Sequence, residues 1–153
     1  MPEKFPRSPY DAIGGLVYFL RMIDKIRLHA EGALPTNGYT EHLGGGFDGR
    51  CLRFLGLAYE EVKSHVLAGE TDEAIFAWAL AHGRKPSEDD IEVWSGFMMK
   101  RGWRDEARER VTFRITEAGL EARAGEIVTM FDFIDVDEGR TPPDFSKLMP
   151  PRV

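Results

Sequence analysis

The sequence predicts an all-α protein: a single compact domain of about six or seven helices over residues 1–140, followed by an extended proline-rich tail over 141–153. Three observations carry this. Apolar residues recur at intervals of three and four along most of the chain, Ser and Thr stand where helix starts need caps, and glycines close the runs. No two alternating stretches face each other across a turn as paired strands would.

The first element opens at Ser8-Pro9-Tyr10-Asp11, read as an N-cap, a proline at the first helical position and an acid completing a capping box. The helix is expected to run to about Glu31, stopped by Gly32 and Pro35. Gly14-Gly15 inside it costs about 2 kcal/mol in helix propensity, so either another part of the chain packs closely there or the helix kinks.

Residues 32–47 form a loop with Asn37-Gly38 and the glycine triplet Gly44 to Gly46, and Asp48 is expected to cap a short helix ending near Gly56. A helix follows from Tyr59 to Ala68. Thr71 caps the next, with Ile75, Trp78 and Ala79 on one face and Gly83 at its end. Ser87-Glu-Asp-Asp90 is a second capping box and opens a helix carrying Ile91, Trp94 and Met98 to Gly102. Residues 104–121 place Ala107, Val111, Ile115 and Ala118 at helical spacing, although Val111 to Thr116 is also a fair strand signal. In 126–137, Ile127, Met130, Phe131 and Ile134 share a stripe, and Pro142, Pro143, Pro150 and Pro151 keep the tail extended.

Composition and charge narrow the function. With 42% hydrophobic and 30% charged residues, the 153-residue chain can bury a core without staples. One cysteine cannot form an internal disulfide, and Met1 to Pro6 holds no apolar signal core, so a cytoplasmic protein is expected. The longest apolar run, Gly14–Leu20, is too short to cross a bilayer. The net charge is −6, and only residues 1–56, with seven Lys/Arg against six Asp/Glu, are not acidic. Nucleic-acid binding, which rests on a basic face that releases counterions, is therefore not expected, nor is a membrane partner.

Ile13, Leu16, Val17 and Leu20 form one stripe of the first helix, and Asp24 and Arg27 fall on the same stripe one and two turns later. Charges on a core-facing side need partners. Asp24 and Arg27 either pair with each other and brace a neighbouring loop, or line a pocket in which Asp24 orients an arginine or acts as a base.

The stretch from His42 to Gly56 offers an anion site. A glycine-rich approach to a helix N-terminus presents free N–H groups and a positive dipole end, and Arg50 and Arg53, spaced i, i+3, add two charges. The pattern lacks the Gly-Lys-Ser/Thr ending of a phosphate-binding loop and the preceding strand of a dinucleotide site. A tight corner is the simpler use of such glycines, and Asp48 would repel an anion. Cys51, expected in the first turn beside Arg50, is either a weak catalytic candidate with thiolate character or a small core residue.

His29, His42, His65 and His82 are scattered, so no metal site is expected. The Trp94–Asp105 cluster reads as core indoles followed by helix-end cations. The acidic segment Phe131–Arg140 lacks a calcium-loop pattern and is expected to pair with Arg50, Arg53 or Arg104.

The expectation is thus a small anionic metabolite held by Arg27, Arg50, Arg53 and the backbone of Gly45, Gly46 and Gly49, with Trp103 as an apolar wall and no cofactor. The rival is a non-catalytic interaction protein, in its simplest form a homodimer. The stretches Ser8–His29, Gly46–Cys51, Lys100–Asp105 and Phe131–Arg140 resemble a bacterial domain-of-unknown-function family, number 5069, over residues 8–140. The resemblance implies no activity, cofactor or catalytic residue.

Overall fold

The computed structural model describes residues 2–144, and within them the chain is mainly helical. Seven α-helices occur among the described residues: α1 (Phe19–Ala30), α2 (Gly46–Leu55), α3 (Tyr59–Leu67), α4 (Asp72–His82), α5 (Glu88–Lys100), α6 (Arg108–Glu117) and α7 (Met130–Asp137). Single 3-10 segments, Thr40–His42 and Glu121–Glu126, sit in the two longer connections. Residues 145–153 of the expected tail lie outside the described residues, and 141–144 have no regular structure.

The helix expected from Ser8 is corrected. Residues Ala12–Ile13 (β1) and Leu16–Val17 (β2) pair antiparallel, with Ala12 opposite Val17 and Ile13 opposite Leu16. Gly14 and Gly15 form the turn at φ +56° and +81°, the two positive values that a tight two-residue hairpin turn requires. The Ser8 hydroxyl accepts a hydrogen bond from Tyr10 N at 3.2 Å, and Asp11 N donates to Ser8 O, so these residues form a turn and not a helix cap. What packs closely at the glycines is a side chain: a Cβ on Gly14 would stand 2.6 Å from the Phe76 ring. Helix α1 begins only after Tyr18, which itself has φ 73°.

The later elements follow their local signals. The Thr71 hydroxyl accepts from Ala74 N at 3.1 Å, and Ser87 and Asp90 complete a reciprocal capping box. Gly56, at φ 68°, closes α2 in the left-handed conformation that spares the last turn a Cβ clash. Residues 111–116 are helical, because Val111 and Ile115 enter the core one turn apart. Gly45, not Asp48, caps α2, and Asp48 is the third residue of that helix.

Helix α1 is the central element. Phe19, Met22, Ile23 and Ile26 are buried in the main core with Leu52 and Leu55 of α2, Val62 and Val66 of α3, Ile75 of α4 and Met98 of α5. A second cluster joins Val111 and Ile115 of α6 to Phe133 and Val136 of α7. Helix α7 belongs to both: Phe131 packs in the main core and edge-on against Phe47 of α2, while Phe133 faces α6. It therefore lies between α2 and α6, and this sets the geometry of the site.

Candidate functional site

The glycine corner is anchored from below by a buried charge pair. The Asp48 carboxylate is fully buried and accepts from the Tyr18 hydroxyl at 2.6 Å, from Lys25 Nζ at 3.0 and 3.1 Å, and from Gly44 N at 3.0 Å. The loop before α2 is thereby stitched to α1. Burial pulls the Lys25 ammonium towards losing its proton, and Asp48 opposes this. Gly44, at φ +75°, lies against the Tyr59 ring, where a Cβ would come within 3.1 Å.

A second buried pair ties α1 to the end of α7. Arg21 donates to both Glu138 oxygens, at 2.9 and 2.7 Å, and to Arg7 O at 3.0 Å. The Tyr39 hydroxyl donates to Glu138 Oε2 at 2.6 Å, and Arg140 donates to Glu138 Oε1 and Pro6 O. Burial alone would raise the Glu138 carboxyl, but Arg21, Tyr39 and Arg140 together hold it below its ordinary value. Among the described residues, every buried side-chain N and O atom has a hydrogen-bond partner.

Above these pairs lies a cleft of about 860 Å³. Its walls are α2 and α6, its floor is α7, and the 37–42 loop forms its rim. Arg50 and Arg53 reach it from α2, Arg110 and Arg114 from α6, Arg21 from α1 and Arg101 from the end of α5. Phe47, Met130, Phe133 and Ile134 supply the apolar surface.

The six arginines are not equivalent. Arg21 is held by Glu138, Arg101 by Asp105 and Glu106, and Arg114 by Glu117, whereas Arg50, Arg53 and Arg110 carry no salt bridge among the described residues. Arg50 lies over the Phe97 ring at 5.5 Å, a ring that Arg101 shares at 5.6 Å. The Arg53 guanidinium folds back over Gly49, where a Cβ would stand 3.1 Å from Nη1. Carboxylates also reach the cleft. Glu41 accepts from Gly38 N at 2.6 Å, and burial, then the nearby Glu138, pushes the Asp137 carboxyl up against the pull of Arg114.

Of the residues singled out from sequence, the structure brings Gly46, Arg50 and Arg53 into this cleft. It places Asp24 and Arg27 elsewhere. Asp24 accepts three hydrogen bonds from Arg7, from N at 3.0 Å, Nε at 2.8 Å and Nη2 at 2.9 Å, and Asp72 bridges Arg7 and Arg27 at 2.9 and 2.7 Å. Arg7, Asp24, Arg27 and Asp72 thus form a ring of alternating charge that braces the N-terminal segment and α4 against α1. Asp24 has no place as a base in the cleft.

Gly45 and Gly49 are also occupied. Gly45 N donates to His42 O at 3.0 Å and Gly49 N to Gly45 O at 3.2 Å, so neither N–H is available to a ligand. Trp103 is half-exposed outside the cleft, with Arg104 over its ring at 5.7 Å. Cys51 lies in the middle of α2, fully buried, and burial with Asp48 nearby raises its thiol far above the usual range. Of the two readings of Cys51, the structure places it as a small core residue: burial and the Asp48 carboxylate work against the thiolate form. The acidic segment pairs with Arg21 and Arg140, not with Arg50, Arg53 or Arg104, while its Asp132 accepts from the Tyr10 hydroxyl at 2.6 Å.

Sequence reasoning missed Arg110 and Arg114. Their i, i+4 spacing puts both on one helix face, a signal present in the sequence, but only the position of α7 reveals that this face looks across at α2. Among the described residues, no three His, Cys, Asp or Glu side chains are grouped to hold a metal ion, and no helix is long and apolar enough to cross a membrane.

No functionally curated protein matches the sequence. A family model does, over residues 3–140. With nearly the whole helical assembly, from the N-terminal segment through the Arg140 clamp, inside that match, the chain belongs to the family described as Domain of unknown function (DUF5069).

Proposed function

We propose that this protein binds a small anionic metabolite in the cleft between α2 and α6. One observation carries the reading: Arg50, Arg53 and Arg110, three arginines with no salt bridge among the described residues, line one cleft of a chain whose net charge is −6, and of the three Arg50 feels a nearby carboxylate, that of Glu106. Guanidinium groups left unneutralised against a concave wall favour carboxylate or phosphate, which they can hold by paired, charge-assisted hydrogen bonds. The first turn of α2, with Gly46 and Phe47 at the cleft, adds N–H groups that have no partner within a helix. Asp48 does not oppose this, because Lys25 neutralises it. The acidic whole favours a small ligand over a polyanion such as nucleic acid, and a single buried cysteine suits a reducing cytoplasm.

The test is a thermal-shift screen of phosphate esters, nucleotides and small carboxylates, since a ligand of the native state raises the melting temperature by mass action. A dose-dependent shift that is lost in Arg50→Ala supports the reading. Silence across all the anions contradicts it.

A second reading, a homodimer, draws on the outer face of α5. Val93 and Phe97, one turn apart on α5, are 73% and 45% exposed and together give this face a pair of adjacent apolar side chains. Light scattering at increasing concentration, with Val93→Glu as the control, decides it: a dimer in the wild type alone supports this face.

A further inference from the structure

Resting on the anion-binding reading, we infer that the ligand carries two anionic groups separated by an apolar segment. The arginines that line the cleft without a salt bridge come from two different helices. Arg50 and Arg53 stand on α2, and Arg110 stands on α6. What separates these walls is α7, which touches α2 through Phe131 and Phe47, and α6 through Phe133 and Val136.

Along α7 the cleft meets Met130, Phe133 and Ile134, with Arg114 lying over the Phe133 ring at 5.9 Å, and the acidic residues Asp137 and Glu138 stand only at the far end of that helix. A single phosphate or carboxylate seated on Arg50 and Arg53 of α2 makes no use of Arg110 of α6. It also leaves most of the roughly 860 Å³ unfilled. A molecule with an anionic group at each end and an apolar or planar body satisfies both walls and covers the floor. Once one end is seated, the second binds at high effective concentration, so affinity gains without any change in either contact.

Calorimetric titration of the full chain tests this with alkane α,ω-bisphosphates of increasing length, each paired with the alkyl monophosphate of the same length. A parallel series of dicarboxylates and monocarboxylates separates phosphate from carboxylate recognition. One bisanionic length is expected to bind at least about tenfold more tightly than its monoanionic match. Arg110→Ala is expected to cost the bisanion several-fold more affinity than it costs the monoanion of the same length, and Arg50→Ala to weaken both.

Equal affinities of bisanion and monoanion at every length overturn the two-headed ligand and leave the anion site standing. So does an Arg110→Ala variant that weakens both ligands alike. Absence of binding in both series overturns the anion site and this inference together. Arg110 is an exposed helical residue, so its replacement by alanine leaves the fold intact, and an unchanged melting temperature confirms that in the same samples.

Discussion

Replacing Asp48 by alanine removes the acceptor of four hydrogen bonds at once: two from Lys25, one from the Tyr18 hydroxyl and one from Gly44 N. The side chains left behind are buried, Lys25 at 5% and Tyr18 at 3% exposure, so water cannot replace the lost partner. Breaking a buried pair by removing one member costs about 3–5 kcal/mol. Lys25 can limit that cost by shedding its proton, which burial already favours. For a chain of this size each kcal/mol moves the melting temperature by roughly 2–4 °C, so Asp48→Ala should melt roughly 6–20 °C lower. Differential scanning calorimetry measures this directly. The double variant Asp48→Ala, Lys25→Met should recover a large part of the loss, because no buried charge is then left alone. A drop of under about 2 °C for the single variant, less than 1 kcal/mol on that scale, would refute the claim that this pair anchors the glycine corner. So would a double variant that is less stable than the sum of its single changes.

Other consequences are as direct. Gly14→Ala combines a φ of +56° with a Cβ 2.6 Å from Phe76, so it should cost well over about 1 kcal/mol in a denaturant titration, whereas a helix at this position would gain stability from alanine. The Glu138 carboxyl is held below its ordinary value of 4.5, so its stabilising contribution is complete above that pH and is lost as the pH falls through its folded-state value. Glu138→Gln should accordingly flatten the acid limb of the melting temperature plotted against pH, and an unchanged acid limb would count against the Arg21 clamp. Cys51 should resist a thiol reagent in the native state and react at the rate of unfolding, while Cys51→Ser leaves ligand binding unchanged; rapid labelling at neutral pH would restore it as a reactive thiol.

Helices α2 to α7 were legible because their signals are local. Thr71 and Ser87 cap with their own hydroxyls, Gly56 takes a positive φ, and the stripe through Val111 and Ile115 needs no knowledge of distant residues. The hairpin was not legible for an instructive reason. Ile13, Leu16, Val17 and Leu20 fit a helical stripe equally well, and the cost of Gly14-Gly15 pointed only to something unusual. The pairing of Leu16 with Ile13 and the approach of Phe76 are tertiary facts.

The site divides in the same way. Arg50 and Arg53 are legible beside their glycines, and Asp24 and Arg27, on a core-facing stripe, need partners. Those partners, Arg7 and Asp72, come from the two ends of a span that no spacing rule connects. Arg110 enters the cleft only because α7 packs into both clusters and brings α6 opposite α2.

The most direct test of the account is a calorimetric titration of wild-type protein and Arg50→Ala with the best anion from the screen, at low and high salt. Binding in the wild type that weakens by about tenfold or more in the variant, about 1.4 kcal/mol, and falls with added salt, at equal melting temperatures, is the predicted result. Binding that survives Arg50→Ala unchanged, or a wild type that takes up no anion, would contradict the assignment of the cleft.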